Sequence, residues 1–141
     1  MPAKTQSLTL VAKTESLGLA TDFVRNGARE ANLPEARIHE LDLLIEEILV
    51  NVSRYSYPVG TPGPVIITYS IPEPGELAVE VCDQGVEFDP LKLDPPDLTL
   101  DIERRPVGGL GIWLLKSFAK SLTYRREQGW NRLAFTISAN V

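Results

Sequence analysis

The chain has 141 residues, 43% of them apolar and 23% charged, with a formal charge of −5 and a pI near 4.9. That length suits one domain with a substantial core and falls short of two, and the acidic balance excludes the clustered Lys and Arg of a nucleic-acid surface. No apolar run approaches the roughly 18 residues that cross a bilayer, and the lone Cys82 excludes an internal disulfide or a cysteine metal cage.

Met1-Pro2-Ala3-Lys4-Thr5-Gln6 has no apolar core behind its charge, so neither export nor membrane insertion is expected. A cytoplasmic protein is expected, with a protein or small-ligand partner. Ser7-Leu8-Thr9-Leu10-Val11-Ala12 alternates in character and predicts a first strand with one buried face. Ser16 is placed to cap a helix whose apolar positions Ala20, Phe23, Val24, Ala28 and Ala31 keep helical spacing to about Asn32. Pro34 opens a longer helix with Ile38, Leu41, Ile45, Ile48 and Val52 on one stripe, ended by Tyr57-Pro58. The Pro- and Gly-rich stretch from Pro58 to Pro64 is a loop. Beyond it Val65-Ile66-Ile67-Thr68-Tyr69, a turn through Pro72-Glu73-Pro74-Gly75, and Leu77-Ala78-Val79-Glu80-Val81-Cys82 predict a hairpin. From Asp89 to Val107 there are four prolines, several charges and no periodicity, which predicts a lid. Gly111 opens a third helix through Lys120. Leu122-Thr123-Tyr124-Arg125 and Arg132-Leu133-Ala134-Phe135-Thr136-Ile137 then form a closing hairpin around Gln128-Gly129. Strands interrupted by helices, with hairpins at either end, point to a mostly antiparallel sheet covered by helices on one face.

Three polar islands interrupt this pattern. Glu47-x-x-x-Asn51 puts a carboxylate and an amide on one face of the second helix, a candidate base beside a candidate metal ligand. Projected at about 100° per residue, both sit at the edge of an apolar arc that contains Leu41, Leu44, Ile48, Val52 and Tyr55, with Arg54 just beyond. Glu46 points too far round to share a ligand with Asn51. Asp83-Gln84-Gly85 ends a strand with an acceptor, and the missing side chain of Gly85 leaves room for a flat ring, which suits a purine amino group. Gly108-Gly109-Leu110-Gly111 puts unobstructed amides at a helix start, where N–H groups and the helix dipole attract phosphates. Each island alone has an ordinary explanation: solvated helix residues, a turn after a strand, a flexible linker with Leu110 buried. Their placement at a helix end, a strand end and a helix start makes one shared ligand the better account. His39 reads as a solvated helix residue, Cys82 as a small core residue and Trp113 as packing for the third helix. Arg104 and Arg105 are either solvated charges or guanidiniums poised above a γ-phosphate.

Together these residues resemble the GHKL or Bergerat-fold ATPases, a group that includes histidine-kinase catalytic domains and DNA gyrase. Glu47 to Asn51 is similar to their N box, Asp83 to Phe88 to the first glycine box, and Gly108 to Gly111 to the second. The phrase Asp83-Gln84-Gly85-Val86-Glu87-Phe88-Asp89-Pro90 and the compact lid most resemble the bacterial anti-sigma-factor serine/threonine kinases, over nearly the whole chain. Glu87 stands where many relatives have a second glycine, and Arg54-Tyr55-Ser56 replaces the His-Gly or His-Ala common in those kinases.

The resemblance implies an α+β two-layer sandwich, a mostly antiparallel mixed sheet with about three helices on one face. It implies one ATP-binding domain over residues 1–141 with an ATP lid at about 89–108, and ATP and Mg²⁺ as cofactors. In that frame Asn51 coordinates Mg²⁺, and Glu47 orients or deprotonates the attacking hydroxyl. Asp83 accepts from the adenine amino group with Gly85 giving room, and Phe88 closes the same box. The amides of Gly109 and Gly111, in the loop with Gly108 and Leu110, touch phosphates. Asn51-Val52-Ser53-Arg54-Tyr55 is similar to the Asn-x-x-Lys-aromatic run of histidine kinases. That similarity puts Arg54 on phosphate and Tyr55 beside the nucleotide, while Arg105 is the lid arginine for the γ-phosphate. The implied activity is phosphoryl transfer to a Ser or Thr of a STAS-type anti-sigma-factor antagonist, with a sigma factor as a further partner and a homodimer as the assembly. Two readings stay beside it: an ATP-gated protein-binding module without kinase activity, and a detached histidine-kinase-like catalytic domain. Autophosphorylation is disfavoured because the sole histidine, His39, shares a helix with Glu47.

Overall fold

The computed structural model describes residues 5–58, 60–92, 115–117 and 119–139. Five strands form one sheet in the order β1-β2-β3-β5-β4: β1 Thr5–Val11, β2 Pro64–Ser70, β3 Glu76–Asp83, β4 Ser121–Glu127 and β5 Trp130–Ser138. Every pairing among the described residues is antiparallel. The two sequence-predicted hairpins supply β2–β3 and β4–β5. Gln128 (φ 50°) and Gly129 (φ 86°) take the left-handed pair that a two-residue hairpin turn requires, and Gly75 (φ 85°) closes the other turn.

Period-two alternation sets the two faces. Val65, Ile67 and Tyr69 of β2, Leu77, Val79 and Val81 of β3, and Leu133, Phe135 and Ile137 of β5 are all buried, while Thr68, Glu80 and Ala134 between them are half-buried. Register puts Ile67 opposite Val81 and Val81 opposite Leu133, so the apolar row is continuous across the sheet centre. Helices α1 (Leu17–Glu30) and α2 (Glu35–Asn51) cover that face with Ala20, Val24, Ala28, Ile38, Leu41, Leu44, Ile45 and Ile48. Arg25 on α1 reaches Asp42 on α2 at 2.9 Å and locks the pair. No helix among the described residues is long and apolar enough to cross a membrane.

Three expectations change. Ser16 does not cap α1: it ends a 3₁₀ turn at helical dihedrals and makes no capping bond. The third helix is described only over residues 115–117 and does not extend to Lys120; the Ala119 amide makes the last helical bond, to Leu115, and the Lys120 amide already donates to Thr136 as β4 begins. The second helix does not run uniformly to Tyr57, because Val52–Ser56 form a π-turn. A π-turn packs more residues into each revolution than an α-turn, so an α-helical projection loses register beyond Asn51. Tyr55, placed in the buried arc by that projection, is 39% exposed, and Ser56 is buried instead at 1%.

Gly27 is where α1 meets the sheet. A Cβ there would lie 2.7 Å from the ring of Tyr69, itself 2% exposed. Gly27→Val is expected to destabilise the fold by about 1–3 kcal/mol through overpacking. Gly18→Ala, in open space on the same helix, is expected to stabilise by about 0.4–1 kcal/mol. Urea unfolding of both variants checks the contrast, and equal effects would remove Gly27 from the interface.

Candidate functional site

At one end of the sheet a narrow cleft opens between the close of α2 and strands β3, β5 and β4. Ile48, Asn51, Val52 and Ser56 form one wall, Val81, Asp83, Tyr124, Asn131 and Leu133 the other, and Phe88 and Pro90 the rim. Apolar walls with a few polar groups aimed inward are the ordinary make-up of a small-ligand site.

Asp83 ends β3 at 3% exposure. Its Oδ1 accepts from the Gly85 amide at 2.9 Å and from Asn131 Nδ2 at 2.8 Å, and Ser56 Oγ donates to Oδ2 at 3.5 Å. Burial pushes the Asp83 carboxyl above its ordinary range, opposed by the bonds from Asn131, Gly85 and Ser56 and by the charge of Arg126. Asn131 uses its whole amide: Nδ2 also donates to Val86 O at 2.8 Å, while Oδ1 accepts from the Tyr124 hydroxyl at 2.6 Å and the Phe88 amide at 3.2 Å. Arg126 donates to Gly85 O at 2.7 Å, and the Tyr57 hydroxyl takes the Gln84 amide at 2.8 Å and donates to Pro64 O. The 83–88 loop is thus tied to strands on one side and the α2 terminus on the other.

Asn51 is 2% exposed, and among the described residues neither its Oδ1 nor its Nδ2 has a hydrogen-bond partner. A buried carboxamide left this way costs about 1–3 kcal/mol for each group, so one lining a cleft calls for a polar partner there, a water or a ligand group. Glu47, one turn earlier, is half-buried on the same helix.

The structure therefore brings Asn51, Asp83 and Phe88 to one cleft. Tyr55 stacks on Phe88 at 4.9 Å with 24° between the ring planes, outside the lining. Arg54 goes elsewhere, to a separate open cleft with Lys13, Thr14 and Pro62. The room left by Gly85 is taken by protein and not by a flat ring: a Cβ at 85 would lie 2.1 Å from the carbonyl oxygen of Ser56, which accepts from the Val86 amide at 2.8 Å. Gly108, Gly109, Leu110, Gly111, Arg104, Arg105 and Trp113, with the lid beyond Lys92, lie outside the described residues. Cys82 is buried, its thiol pushed up to about 12 first of all by burial, and His39 is exposed.

Residues 10–137 match the family of histidine kinase-like ATPase domains. The chain belongs to that family. It is 29% identical over 96 residues to the serine/threonine-protein kinase BtrW of Bordetella bronchiseptica, covering 68% of this chain and 67% of that one. To the serine-protein kinase RsbW of Listeria monocytogenes it is 26% identical over 127 residues, covering 87% and 80%. Among solved structures, the RsbU and RsbW domains of a Mycobacterium tuberculosis protein superpose with a TM-score of 0.65 at 14% identity, covering 97% of this chain and 32% of that one, and so share its fold.

In this ATPase domain the sequence reading missed Ser56, Tyr124 and Asn131. Asn131 left a signal: it occupies the inward phase of β5 that Leu133, Phe135 and Ile137 otherwise fill, and a polar residue there needs a partner. Ser56 left a similar one: at about 100° per residue it projects in line with Ile38 on the apolar stripe of the second helix, where a polar residue also needs a partner.

Because folding raises the Asp83 carboxyl, the folded chain holds a proton that the unfolded chain has lost, but only between the unfolded value, about 4, and the higher folded one. Stability tied to this group is present below that unfolded value and declines as pH rises through the folded one. Asp83→Asn removes the titration and keeps an acceptor for Gly85 and Asn131. Urea unfolding of the variant relative to wild type is expected to shift in the variant's favour between pH 3.5 and pH 7. A difference that does not change with pH would contradict a raised carboxyl.

Proposed function

We propose that this chain is an ATP-dependent protein kinase of the anti-sigma-factor type, moving the γ-phosphoryl group of Mg·ATP to a Ser or Thr of a STAS-type antagonist protein in the cytoplasm. The observation that carries the reading is the buried carboxamide of Asn51, without a partner among the described residues, in the same cleft as the fixed carboxylate of Asp83. The names of the relatives, both serine or serine/threonine kinases, agree with it.

Asp83 Oδ2 would accept the adenine amino group, with the ring between the apolar walls formed by Ile48, Val81 and Leu133. Among the described residues no three His, Cys, Asp or Glu side chains cluster as a metal cage. Mg²⁺ would instead be held by Asn51 Oδ1 together with phosphate oxygens, the usual arrangement for an ion that keeps much of its own oxygen shell, and it would neutralise charge on the transferring group. Glu47 would orient the acceptor hydroxyl and take its proton. Gly108 to Gly111 and Arg105 are assigned to the phosphates on the resemblance alone. Positioning and charge neutralisation are then what the protein contributes. A sigma factor as second partner and a homodimer complete the proposal.

The position of Arg54 on a separate cleft favours a second reading, an ATP-gated binding module with weakened phosphate contacts. Two variants separate them. Asn51→Ala is expected to weaken calorimetric Mg·ATP binding at least tenfold, about 1.4 kcal/mol. Glu47→Ala is expected to keep ATP affinity and lose about 10²- to 10⁴-fold in transfer of labelled phosphate to candidate antagonist proteins. Wild-type protein that binds ATP and labels none of them supports the binding module; undiminished transfer by Glu47→Ala removes that residue as the base.

A further inference from the structure

The cleft holds a hydrogen-bond acceptor and a donor that are only loosely engaged with each other. Oδ1 of Asp83 has two firm donors, the Gly85 amide at 2.9 Å and Asn131 Nδ2 at 2.8 Å. Oδ2 is left with Ser56 Oγ at 3.5 Å, the outer limit of a hydrogen bond. Both residues line the cleft and both are nearly sealed from solvent, Ser56 at 1% and Asp83 at 3%.

Neither group is free to swing away. Asn131 fixes the carboxylate and is itself held by Tyr124, Phe88 and Val86. The Ser56 backbone is pinned because its carbonyl accepts from the Val86 amide at 2.8 Å and closes against Gly85, where a Cβ would stand 2.1 Å from that oxygen. An acceptor and a rotatable hydroxyl donor thus sit side by side in a site shielded from water.

We propose that Ser56 is a specificity residue of the nucleotide site, its hydroxyl donating to the ring nitrogen next to the amino group that Asp83 accepts. This rests on the adenine reading above. An amino group beside an unprotonated ring nitrogen is a donor next to an acceptor, the complement of the Asp83–Ser56 pair. On binding, the amino N–H takes Oδ2 and the Ser56 hydroxyl turns from the carboxylate to the ring nitrogen. One long bond is exchanged for two ordinary ones, and no buried group is left unpaired. A purine with a carbonyl at that carbon would set its oxygen against Oδ2, a mismatch that sites built on buried hydrogen bonds reject strongly.

The discriminating probe is 1-deaza-ATP, in which C–H replaces that ring nitrogen and the amino group stays. By calorimetry with Mg²⁺ present, the wild-type protein is expected to bind it about fivefold more weakly than ATP, the value of one neutral hydrogen bond. Ser56→Ala is expected to bind the two nucleotides equally, and Ser56→Cys, of similar size but a weaker donor, to fall between. A purely structural Ser56 would weaken both nucleotides together and leave their ratio unchanged. Equal binding by the wild type, or an undiminished ATP preference in Ser56→Ala, overturns the assignment. If neither variant has a native circular-dichroism spectrum, the wild-type comparison still decides. Failure of the wild type to bind ATP at all sinks the adenine reading as well, whereas ATP binding without the ring-nitrogen preference sinks the Ser56 assignment alone.

Discussion

The bond between Asn131 Nδ2 and Asp83 Oδ1, 2.8 Å long and buried at both ends, organises the end of the sheet where the cleft lies. A carboxylate in so dry a place is costly unless donors converge on it, and Asn131 supplies one while spending its remaining valences on Val86, Phe88 and Tyr124. The loop that follows β3 is therefore held to the sheet by the residue that orients the aspartate. Burial still leaves the carboxyl above its ordinary range, so the fold carries a group that works against its own stability at neutral pH. Such a group is most readily understood as serving a ligand.

The π-turn at Val52–Ser56 is the second device. It lets the long helix finish with Asn51 turned into the cleft and Ser56 meeting Asp83, while Tyr55 rotates out to stack on Phe88. A regular α-helix would have turned Tyr55 toward the core. Gly85 belongs to the same arrangement, since only a residue without Cβ tolerates the Ser56 carbonyl at this range. The Asp-x-Gly phrase is thus explained first by helix–loop packing, which prepares the site before any ligand arrives.

Asn51 and Asp83 lie on different elements and are unlike in their unbound state. The aspartate has two firm donors on Oδ1; the asparagine has no partner among the described residues. A ligand that contributes an amino group at one end, and at the other a cation for Asn51 Oδ1 and an acceptor for its Nδ2, would complete both, which is the economy of the Mg·ATP reading. Arg54 stands outside that economy, on another cleft, because the widened turn carries it away from the side on which Asn51 faces.

Alternation in β2, β3 and β5, the spacing of small residues along α1, and the glycine turns determined the strand faces, the helices and the α+β class, because those signals are local and repeat with the period of the element. The Glu47, Asn51 and Asp83 phrases were legible for the same reason: a four-residue helical spacing and a strand end are local geometry. The partners of those phrases were decided only in three dimensions. Asn131 lies 48 residues from Asp83 in the chain, Ser56 meets Asp83 from another element, and Arg54 lines a different cleft. Local periodicity records which way a side chain faces its own element; what it meets there is set by the packing of elements distant in sequence.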